Sequence, residues 1–264
     1  MTPTLNQGQF IGDTLRCVAQ QKGPDDCYVV VDGGSSDDTS SWLAHFAEAI
    51  DAVHVLPGLS QAGALSFAFD KYEADICCWL NSDDLWLPDT LNYIRDFFVE
   101  HPETDVIYGD RIFIDPAGKI EATWSLPPHV NWLMQRWDYI PQETSFWRQD
   151  AMREAGGIDP NIAFAVDYDL FLRMMRRSNF KHITRYMGAF RVHPASKTST
   201  QNETLGKDEV ARLRLCYKVA SFPGERVVGR LLRHFVDLYS KFTAIRKRDQ
   251  IQSLAPTLIT SEPA

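Results

Sequence analysis

Strand-like and helix-like patterns alternate through the first 110 residues of this 264-residue chain. Short apolar runs end at Val31, Leu56, Leu80 and Tyr108, and stretches with apolar residues at helical spacing lie between them. This alternation is typical of an α/β fold, in which helices flank a sheet of parallel strands. Because ligands of such sheets bind beyond the carboxyl ends of the strands, functional residues are expected just after the apolar runs.

The polar sequence Asn81-Ser82-Asp83-Asp84 follows one such run at residues 76–80. An unbroken apolar run of that length predicts a strand that is buried on both faces. Two adjacent carboxylates at its end are costly unless a positive charge meets them, and a divalent cation carrying a phosphate group is a suitable counter-ion. The pattern therefore indicates a metal-dependent enzyme acting on a nucleotide or another phosphate-bearing substrate. If strand geometry persists that far, Asp83 and Asp84 point to opposite sides and have different functions.

Composition restricts the partners and the compartment. The net charge is −8, and no long basic block precedes the C-terminal region, so nucleic acid is not expected as a partner. The five cysteines contain no Cys-x-x-Cys pair, which favours a reducing, cytoplasmic compartment. The sequence shows neither a run of about 20 apolar residues nor a signal sequence, so neither a membrane span nor secretion is predicted.

The pattern changes after Asp110. Alternating residues predict a hairpin over residues 111–124 with its turn at 115–118, and helical patterns dominate from Leu205 onward with a break at Pro223-Gly224. We therefore predict a catalytic domain over residues 1–200 and a helical C-terminal extension with a tail over residues 201–264.

Six segments together resemble the family-2 glycosyltransferases of the GT-A fold. The segments are Pro3-Thr4-Leu5-Asn6, residues 30–39, residues 79–84, Gly156-Gly157-Ile158-Asp159, residues 167–173, and Arg191-Val192-His193-Pro194. The resemblance implies a Rossmann-like, mostly parallel central sheet flanked by helices. It also implies inverting transfer of a sugar from a nucleotide-diphosphate donor, expected to be a UDP-sugar, with Mg²⁺ or Mn²⁺.

The resemblance also assigns roles to individual residues. Asp84 and His193 are expected to bind the metal, Asp83 to lie near the donor ribose, and Arg191 to contact the diphosphate. The remaining donor-binding residues are expected to be Pro3, Thr4, Asn6, Asp32 and Gly33. Three structural alternatives remain open: an Asp of the pair caps the turn before Pro88, Asp32 anchors an Asx-type turn, and His193 is a core or surface residue.

Asp167 is the candidate general base, because a carboxylate can accept the proton of the attacking hydroxyl. Asp169 could take that role instead, and either residue could simply favour the N-terminus of the following helix. Gln142 falls where relatives have a polar active-site loop. Trp132 and Trp137 could bind an acceptor sugar, with core packing at least as plausible.

The chain departs from the family at several positions. Gly33, Gly63, Ser66 and Val166 stand where relatives often have acidic or amide side chains, and the first strand is nearly absent. Either the true start lies upstream, or this strand is stunted. These departures keep open a catalytically weak or inactive relative that binds nucleotide or a partner. A structural assembly subunit also remains open, whereas a nucleotidyltransferase is disfavoured because residues 2–12 contain no Lys or Arg.

Residues 225–248 combine helical apolar spacing with many basic residues. Such a helix can lie on an anionic membrane, which would suit a lipid-linked acceptor and a location at the inner face of the membrane. The alternative is packing on the catalytic domain or on a second subunit in a homodimer. By analogy, the expected product is a cell-surface glycan such as O-antigen, exopolysaccharide or glycolipid.

Overall fold

The computed structural model describes residues 1–246 and residue 251. Its strands are β1 (Thr2–Thr4), β2 (Val29–Asp32), β3 (Ala52–Val55), β4 (Ile76–Cys77), β5 (Leu85–Trp86), β6 (Val106–Ile114), β7 (Ile120–Trp124), β8 (Ser145–Arg148) and β9 (Phe180–Arg191). Its α-helices are α1 (Ile11–Ala19), α2 (Thr39–His45), α3 (Gln61–Lys71), α4 (Thr90–Glu100), α5 (Asn131–Met134), α6 (Gln149–Glu154), α7 (Val166–Met174), α8 (Lys197–Gln201), α9 (Lys207–Cys216) and α10 (Glu225–Arg246).

The first three strands form a parallel sheet in the order β1-β2-β3. Thr2 lies opposite Val30, and Val30 lies opposite Val53. All four residues of the central strand β2 are buried, and its three valines form the apolar run expected of a strand covered on both faces. The carboxyl ends of β1 and β2 therefore meet at the same edge of the sheet.

The second sheet has the order β4-β8-β6-β9-β5, with β7 paired to the far end of β6. Strands β6 and β9 are parallel, whereas β4–β8, β6–β8, β5–β9 and β6–β7 are antiparallel. The α/β class is confirmed, but the expected mostly parallel character holds only for the first sheet and the β6–β9 pair. For the β6–β7 pair the reason is local, since these strands form a tight hairpin and neighbours joined that way run antiparallel.

The two sheets meet at the N-terminus. The N-terminal ammonium donates to the Cys78 carbonyl at 3.0 Å, and the Leu80 N–H donates to the Met1 carbonyl at 3.0 Å. β1 has three residues, and the strand predicted over 76–80 forms a ladder only at Ile76–Cys77. The segment after β4 therefore runs beside β1 and brings residues 81–84 next to the end of the first sheet.

The hairpin predicted over residues 111–124 is confirmed, with the Gly118 N–H donating to the Asp115 carbonyl at 2.9 Å. The C-terminal region is helical as predicted, with the break between α9 and α10. No helix in the described part of the chain is both long and apolar enough to cross a membrane. The predicted tail at residues 253–264 and the end of the basic segment at 247 and 248 lie outside the described residues.

Candidate active site

A cleft of about 630 Å³ opens at the edge where the two sheets meet. Its walls come from the ends of β1 and β2, the Asn81–Asp84 segment, the β6–β7 hairpin, residues 138–143, the start of α7 and the start of α8. The volume lies in the range of pockets that hold cofactors and substrates. Most of the residues that the sequence singled out as functional lie in or beside this cleft.

The Asn81–Asp84 segment is a turn, in which the Asp84 N–H donates to the Asn81 carbonyl at 3.2 Å. The expectation of persisting strand geometry is therefore wrong, although the two carboxylates still have different environments. Asp83 is half-buried and lines the cleft, whereas Asp84 also lines it but is only 1% exposed. The turn, rather than strand alternation, separates the two side chains.

Asp84 is held from behind by the protein backbone. Its Oδ1 accepts the Arg191 N–H at 3.0 Å, and its carbonyl accepts the Thr14 hydroxyl at 2.9 Å. Burial and the negative charges of Asp83 and Glu143 raise the pKa of this carboxyl well above its ordinary value. The three carboxylates therefore lie close enough for their negative charges to repel one another, and a cation bound there would offset that repulsion.

His193 contacts Asp83 rather than Asp84. Its Nε2 lies 3.0 Å from Asp83 Oδ2, and its ring packs against Phe10 with the centroids 4.5 Å apart. The expected pairing of His193 with Asp84 at a metal does not appear. Within the described residues, no group of three or more His, Cys, Asp or Glu side chains is arranged to hold a metal ion.

The donor set at the turn nevertheless fits a hard divalent cation. Mg²⁺ is commonly bound through one or two carboxylates, with the remaining ligands supplied by water and substrate phosphates. Asp83 and Asp84 provide adjacent carboxylates of that kind on the cleft wall. The residues that would hold the ion are therefore Asp83 and Asp84, and His193 would orient Asp83.

Arg191 does not face the cleft, which corrects the expected diphosphate contact. Its fully buried guanidinium donates to the Asp83 carbonyl at 2.9 Å, to the Pro116 carbonyl at 2.8 Å and to Asp13 Oδ2 at 3.0 Å. These bonds join the end of β9 to the carboxylate turn, the hairpin and α1. Arg191 therefore positions the Asp83–Asp84 turn.

The Asx-type turn considered for Asp32 is present. Asp32 Oδ1 accepts the Gly34 N–H at 3.1 Å, and the Ser35 N–H and hydroxyl at 3.0 and 2.6 Å. Asn6 adopts φ +52°, and its Oδ1 accepts the Ser36 N–H at 2.8 Å. Asp32 and Asn6 thus shape two loops at the end of the cleft formed by β1 and β2. The cleft surface itself is formed there by Pro3, Thr4 and Gly33.

Asp167 lies in the first turn of α7 and lines the same cleft as the carboxylate turn. Its Oδ1 accepts the Tyr168 N–H at 2.9 Å, and burial raises its pKa above the ordinary value. The alternative base, Asp169, is only 2% exposed and is occupied by Arg173 at 2.6 Å and by the Tyr217 hydroxyl. The geometry therefore favours Asp167 as the available carboxylate.

Two charged cleft residues, Asp138 and Lys197, were not anticipated from the sequence. Asp138 lines the cleft and is exposed to solvent there. Lys197 Nζ donates to Gln61 Oε1 at 2.9 Å, and desolvation lowers its pKa. No spacing pattern marks either residue, because each reaches the cleft only through the fold.

Amide side chains connect Lys197 to the carboxylate turn. Gln61 donates to Asn81 Oδ1 at 2.9 Å, and Asn81 Nδ2 donates to Gln142 Oε1 at 3.1 Å. Gln142 in turn donates to the Trp79 carbonyl. The polar loop expected at Gln142 therefore belongs to the network that supports the turn.

An ion pair between Arg111 and Glu143 forms the hairpin side of the cleft and was also not anticipated. Arg111 Nη2 donates to Glu143 Oε2 at 2.9 Å, while Nε lies 2.8 Å from Oε1 without hydrogen-bond alignment. The guanidinium lies 5.5 Å from the centroid of the Trp124 ring and 5.0 Å from that of Phe190. Trp124 is the tryptophan of this region that lines the cleft beside the pair.

The two tryptophans considered for acceptor binding lie elsewhere. Trp137 packs against Trp124 with the ring centroids 5.9 Å apart, and it is partly buried in the core. Trp132 is exposed and lies under the Arg136 guanidinium at 4.5 Å. The core-packing alternative therefore describes Trp137, and Trp132 is a surface residue outside the cleft.

The relatives of this chain are glycosyltransferases. The profile described as "Glycosyl transferase family 2" matches residues 1–183. A PGL/p-HBAD biosynthesis glycosyltransferase of Mycobacterium bovis is 25% identical over 248 residues, which are 92% of this chain and 93% of the relative.

Solved structures share the fold at low sequence identity. S. aureus TarS 1-349 in complex with UDP-GlcNAc has a TM-score of 0.65 and 16% identity, over 93% of this chain and 73% of that one. This chain spans 42% of a longer TarS chain. The mannosyltransferase PcManGT of Pyrobaculum calidifontis, in complex with GDP-Man and Mn²⁺, has a TM-score of 0.60 and 15% identity, over 100% of this chain and 75% of that one. Because the family profile covers more than half of the chain, this protein belongs to glycosyl transferase family 2.

Proposed function

We propose that this protein transfers a sugar, with inversion, from a nucleotide-diphosphate donor to a glycan or lipid-linked acceptor, using Mg²⁺ or Mn²⁺. The single observation that carries the proposal is the placement of Asp83, Asp84 and Asp167 in the walls of one cleft. Two of these carboxylates suit a metal-bound diphosphate, and the third suits a proton acceptor.

The donor would lie along the edge where the two sheets meet. Pro3, Thr4 and Gly33 form a backbone-rich surface for the nucleoside, and the Asp83–Asp84 turn lies next to it. Lys197 also lines the cleft, and its Nζ is hydrogen-bonded to the side-chain amide of Gln61. A UDP-sugar is the proposed donor, in keeping with the UDP-GlcNAc complex of TarS, and the GDP-Man complex of PcManGT makes a GDP-sugar the first alternative.

The reaction needs one proton acceptor and one leaving group. As the acceptor oxygen forms its bond to the anomeric carbon, its proton passes to an Asp167 oxygen, and the bond to the nucleoside diphosphate breaks with its electron pair. When bound, the divalent cation would offset the charge that develops on the departing diphosphate. The raised pKa of Asp167 makes it a stronger base than an ordinary aspartate.

The acceptor is proposed to be part of a cell-surface glycan or glycolipid. The mycobacterial relative is named for PGL/p-HBAD biosynthesis, and it aligns with almost its whole length. The reaction is proposed to take place in the cytoplasm, at the inner face of the membrane, with residues 225–248 as the contact. Homodimer formation is the alternative use of that segment.

The proposal is tested by thermal unfolding with Mn²⁺ and, in turn, UDP-, GDP- and dTDP-sugars. A donor at about 100 times its dissociation constant should add roughly 2.7 kcal/mol, or on the order of 5 °C or more in Tm. Asp84→Asn should lose the metal-dependent shift, whereas Asp96→Asn, at an exposed position of α4, should keep it.

Three other results would change the conclusion. No shift with any donor would favour the inactive relative that the departures at Gly33, Gly63 and Val166 keep open. A shift that persists in EDTA and in Asp84→Asn would remove the metal from the proposal. A normal shift without transfer to any acceptor would leave a nucleotide-binding protein rather than an enzyme.

A further inference from the structure

Helix α10 is attached to the catalytic domain along one of its faces. Val236, Ser240 and Thr243 recur at helical spacing and are buried. Ser240 Oγ accepts the Ser125 N–H at 2.9 Å and donates to the Thr123 carbonyl at 3.0 Å. These two hydrogen bonds hold the helix against the end of β7.

The other side of α10 is apolar and faces solvent. Val227, Leu231, Phe235, Leu238 and Phe242 are each between 51% and 65% exposed. Their spacing places them in one stripe, on the side of the helix away from Val236 and Ser240. A contiguous stripe of large exposed apolar side chains marks an interaction surface rather than scattered surface residues.

Charge indicates what binds there. Arg230, His234 and Lys241 are exposed and occupy the row of helix positions beside the apolar stripe. The helix sequence has five Arg or Lys against two acidic residues, Glu225 and Asp237, in a chain of net charge −8. An apolar stripe bordered by basic residues, on an otherwise acidic protein, is complementary to an anionic surface.

We propose that the exposed face of α10 binds an anionic lipid bilayer. The stripe from Val227 to Phe242 would enter the boundary between head groups and acyl chains, and Arg230 and Lys241 would contact lipid phosphates. A second copy paired antiparallel about a two-fold axis fits less well, because the basic rows of the two identical helices would then face each other.

Strand β7 and the residue that follows it connect helix α10 to the cleft. Trp124, at the end of β7, lines the cleft, and the next residue, Ser125, is bound by Ser240 of α10. Membrane binding through α10 would therefore hold the hairpin side of the cleft near the bilayer, where a lipid-linked acceptor would lie. This last step rests on the proposed function, whereas binding of the bilayer does not.

Flotation of the full chain with vesicles tests the proposal. We expect binding to vesicles of phosphatidylcholine with phosphatidylglycerol, and binding at least tenfold weaker to phosphatidylcholine alone or at high salt. Leu231→Ser/Phe235→Ser and Arg230→Gln/Lys241→Gln should each weaken binding about tenfold or more. Leu215→Ser, at a leucine that is 79% exposed on α9, is the matched control and should bind like the wild type.

Failure to bind anionic vesicles, or equal binding by Leu231→Ser/Phe235→Ser, would overturn the proposal. A wild-type dimer in ultracentrifugation that becomes a monomer in this variant, with no vesicle binding by either, would identify a second copy as the occupant. A cooperative thermal unfolding transition without ligand is measured for every variant to show that each is folded, and the donor-induced shift is measured separately. Vesicle binding without any donor shift would refute the proposed function and leave the membrane surface standing.

Discussion

The imidazole of His193 is hydrogen-bonded to Asp83, with Nε2 3.0 Å from Oδ2, while the neighbouring Asp84 is held by the backbone N–H of Arg191. Arg191, the last residue of β9, and His193, two residues further along the chain, thus support both carboxylates of the turn. Residues at and just after the end of β9 would then hold the two carboxylates in place, so that both are oriented before any donor binds.

Substitution of His193 should weaken metal-dependent donor binding. His193→Ala removes the partner that orients Asp83, and losses of this kind typically cost about 10–100-fold in metal affinity. Calorimetric titration of a UDP-sugar in the presence of Mn²⁺ measures the effect. His45→Ala, an exposed histidine at the end of α2, should bind like the wild type. An equal loss of donor affinity in EDTA would show that His193 acts through the fold rather than the metal.

Asp84→Asn should stabilise the protein near neutral pH when no metal or donor is present. The raised pKa of Asp84 means that the folded state binds this proton more tightly than the unfolded state. The resulting stability is fully present below a pH of about 4 and is lost as the pH rises through the raised value. Asparagine does not ionise, so the variant does not lose this stability as the pH rises. Each unit by which the pKa of Asp84 is raised corresponds to about 1.4 kcal/mol in the free energy of unfolding.

Urea unfolding in EDTA at several pH values measures this difference. The free energy of unfolding of Asp84→Asn minus that of the wild type should grow from acid to neutral pH. For Asp96→Asn the difference should stay flat, because that side chain lies at an exposed position. A variant that is less stable than the wild type at neutral pH would contradict the repulsion among Asp83, Asp84 and Glu143.

The parts of the site that the sequence predicted are those encoded by short contiguous patterns. Asp83, Asp84 and Gly33 follow apolar runs, and Asp167 precedes a helical pattern, so their positions at the cleft follow from the alternation of elements. The partners of these residues could not be predicted in the same way. Arg191 reaches the Asp83 carbonyl across 108 residues, and only the register of β9 against β5 and β6 decides that contact.

The strand directions of the second sheet show the same limit. Apolar patterning located the start of β6 and the β6–β7 hairpin, but a buried strand has the same composition whether its neighbour is parallel or antiparallel. Arg111 and Glu143 likewise belong to different elements, and their ion pair depends on how the hairpin folds back over the residues that lead into β8. Local periodicity specifies the elements, and pairing across the sheet specifies the site.

Asp167→Asn should abolish most of the catalysis and leave donor binding intact. Loss of a general base typically costs about 10²–10⁴-fold in kcat, while the dissociation constant of the donor should change less than about twofold. In the wild type, activity should rise with pH as Asp167 loses its proton. Because the pKa of Asp167 is raised, this rise should occur at a higher pH than an ordinary aspartate would give. The residual activity of the variant should not show this rise with pH.

Asp150→Asn is the matched control for Asp167→Asn, because Asp150 also lies in the first turn of a short helix and is exposed. It should leave kcat and the pH profile unchanged. A loss of donor affinity equal to the loss of kcat would show that Asp167 holds the donor instead of accepting the proton.

Arg191→Lys should destabilise the protein because one ammonium cannot replace a guanidinium that reaches three oxygens. The buried side chain bonds the Asp83 and Pro116 carbonyls and Asp13, and breaking such a buried charged network costs about 2–4 kcal/mol. Urea unfolding measures this loss. Arg185→Lys, which alters a surface pair with Asp89 at 3.3 Å, should change stability by less than about 0.5 kcal/mol.

Donor titration of Arg191→Lys then separates positioning from direct contact. If Arg191 only positions the turn, the variant should bind the donor more weakly than the wild type in the presence of Mn²⁺. In EDTA the two proteins should bind it equally, because the substitution disturbs Asp83 and Asp84 but removes no contact between residue 191 and the phosphates. A variant of wild-type stability that loses donor binding equally with and without metal would mean that the guanidinium leaves its buried site to bind the diphosphate. That outcome would restore the role that the family resemblance implied for this residue.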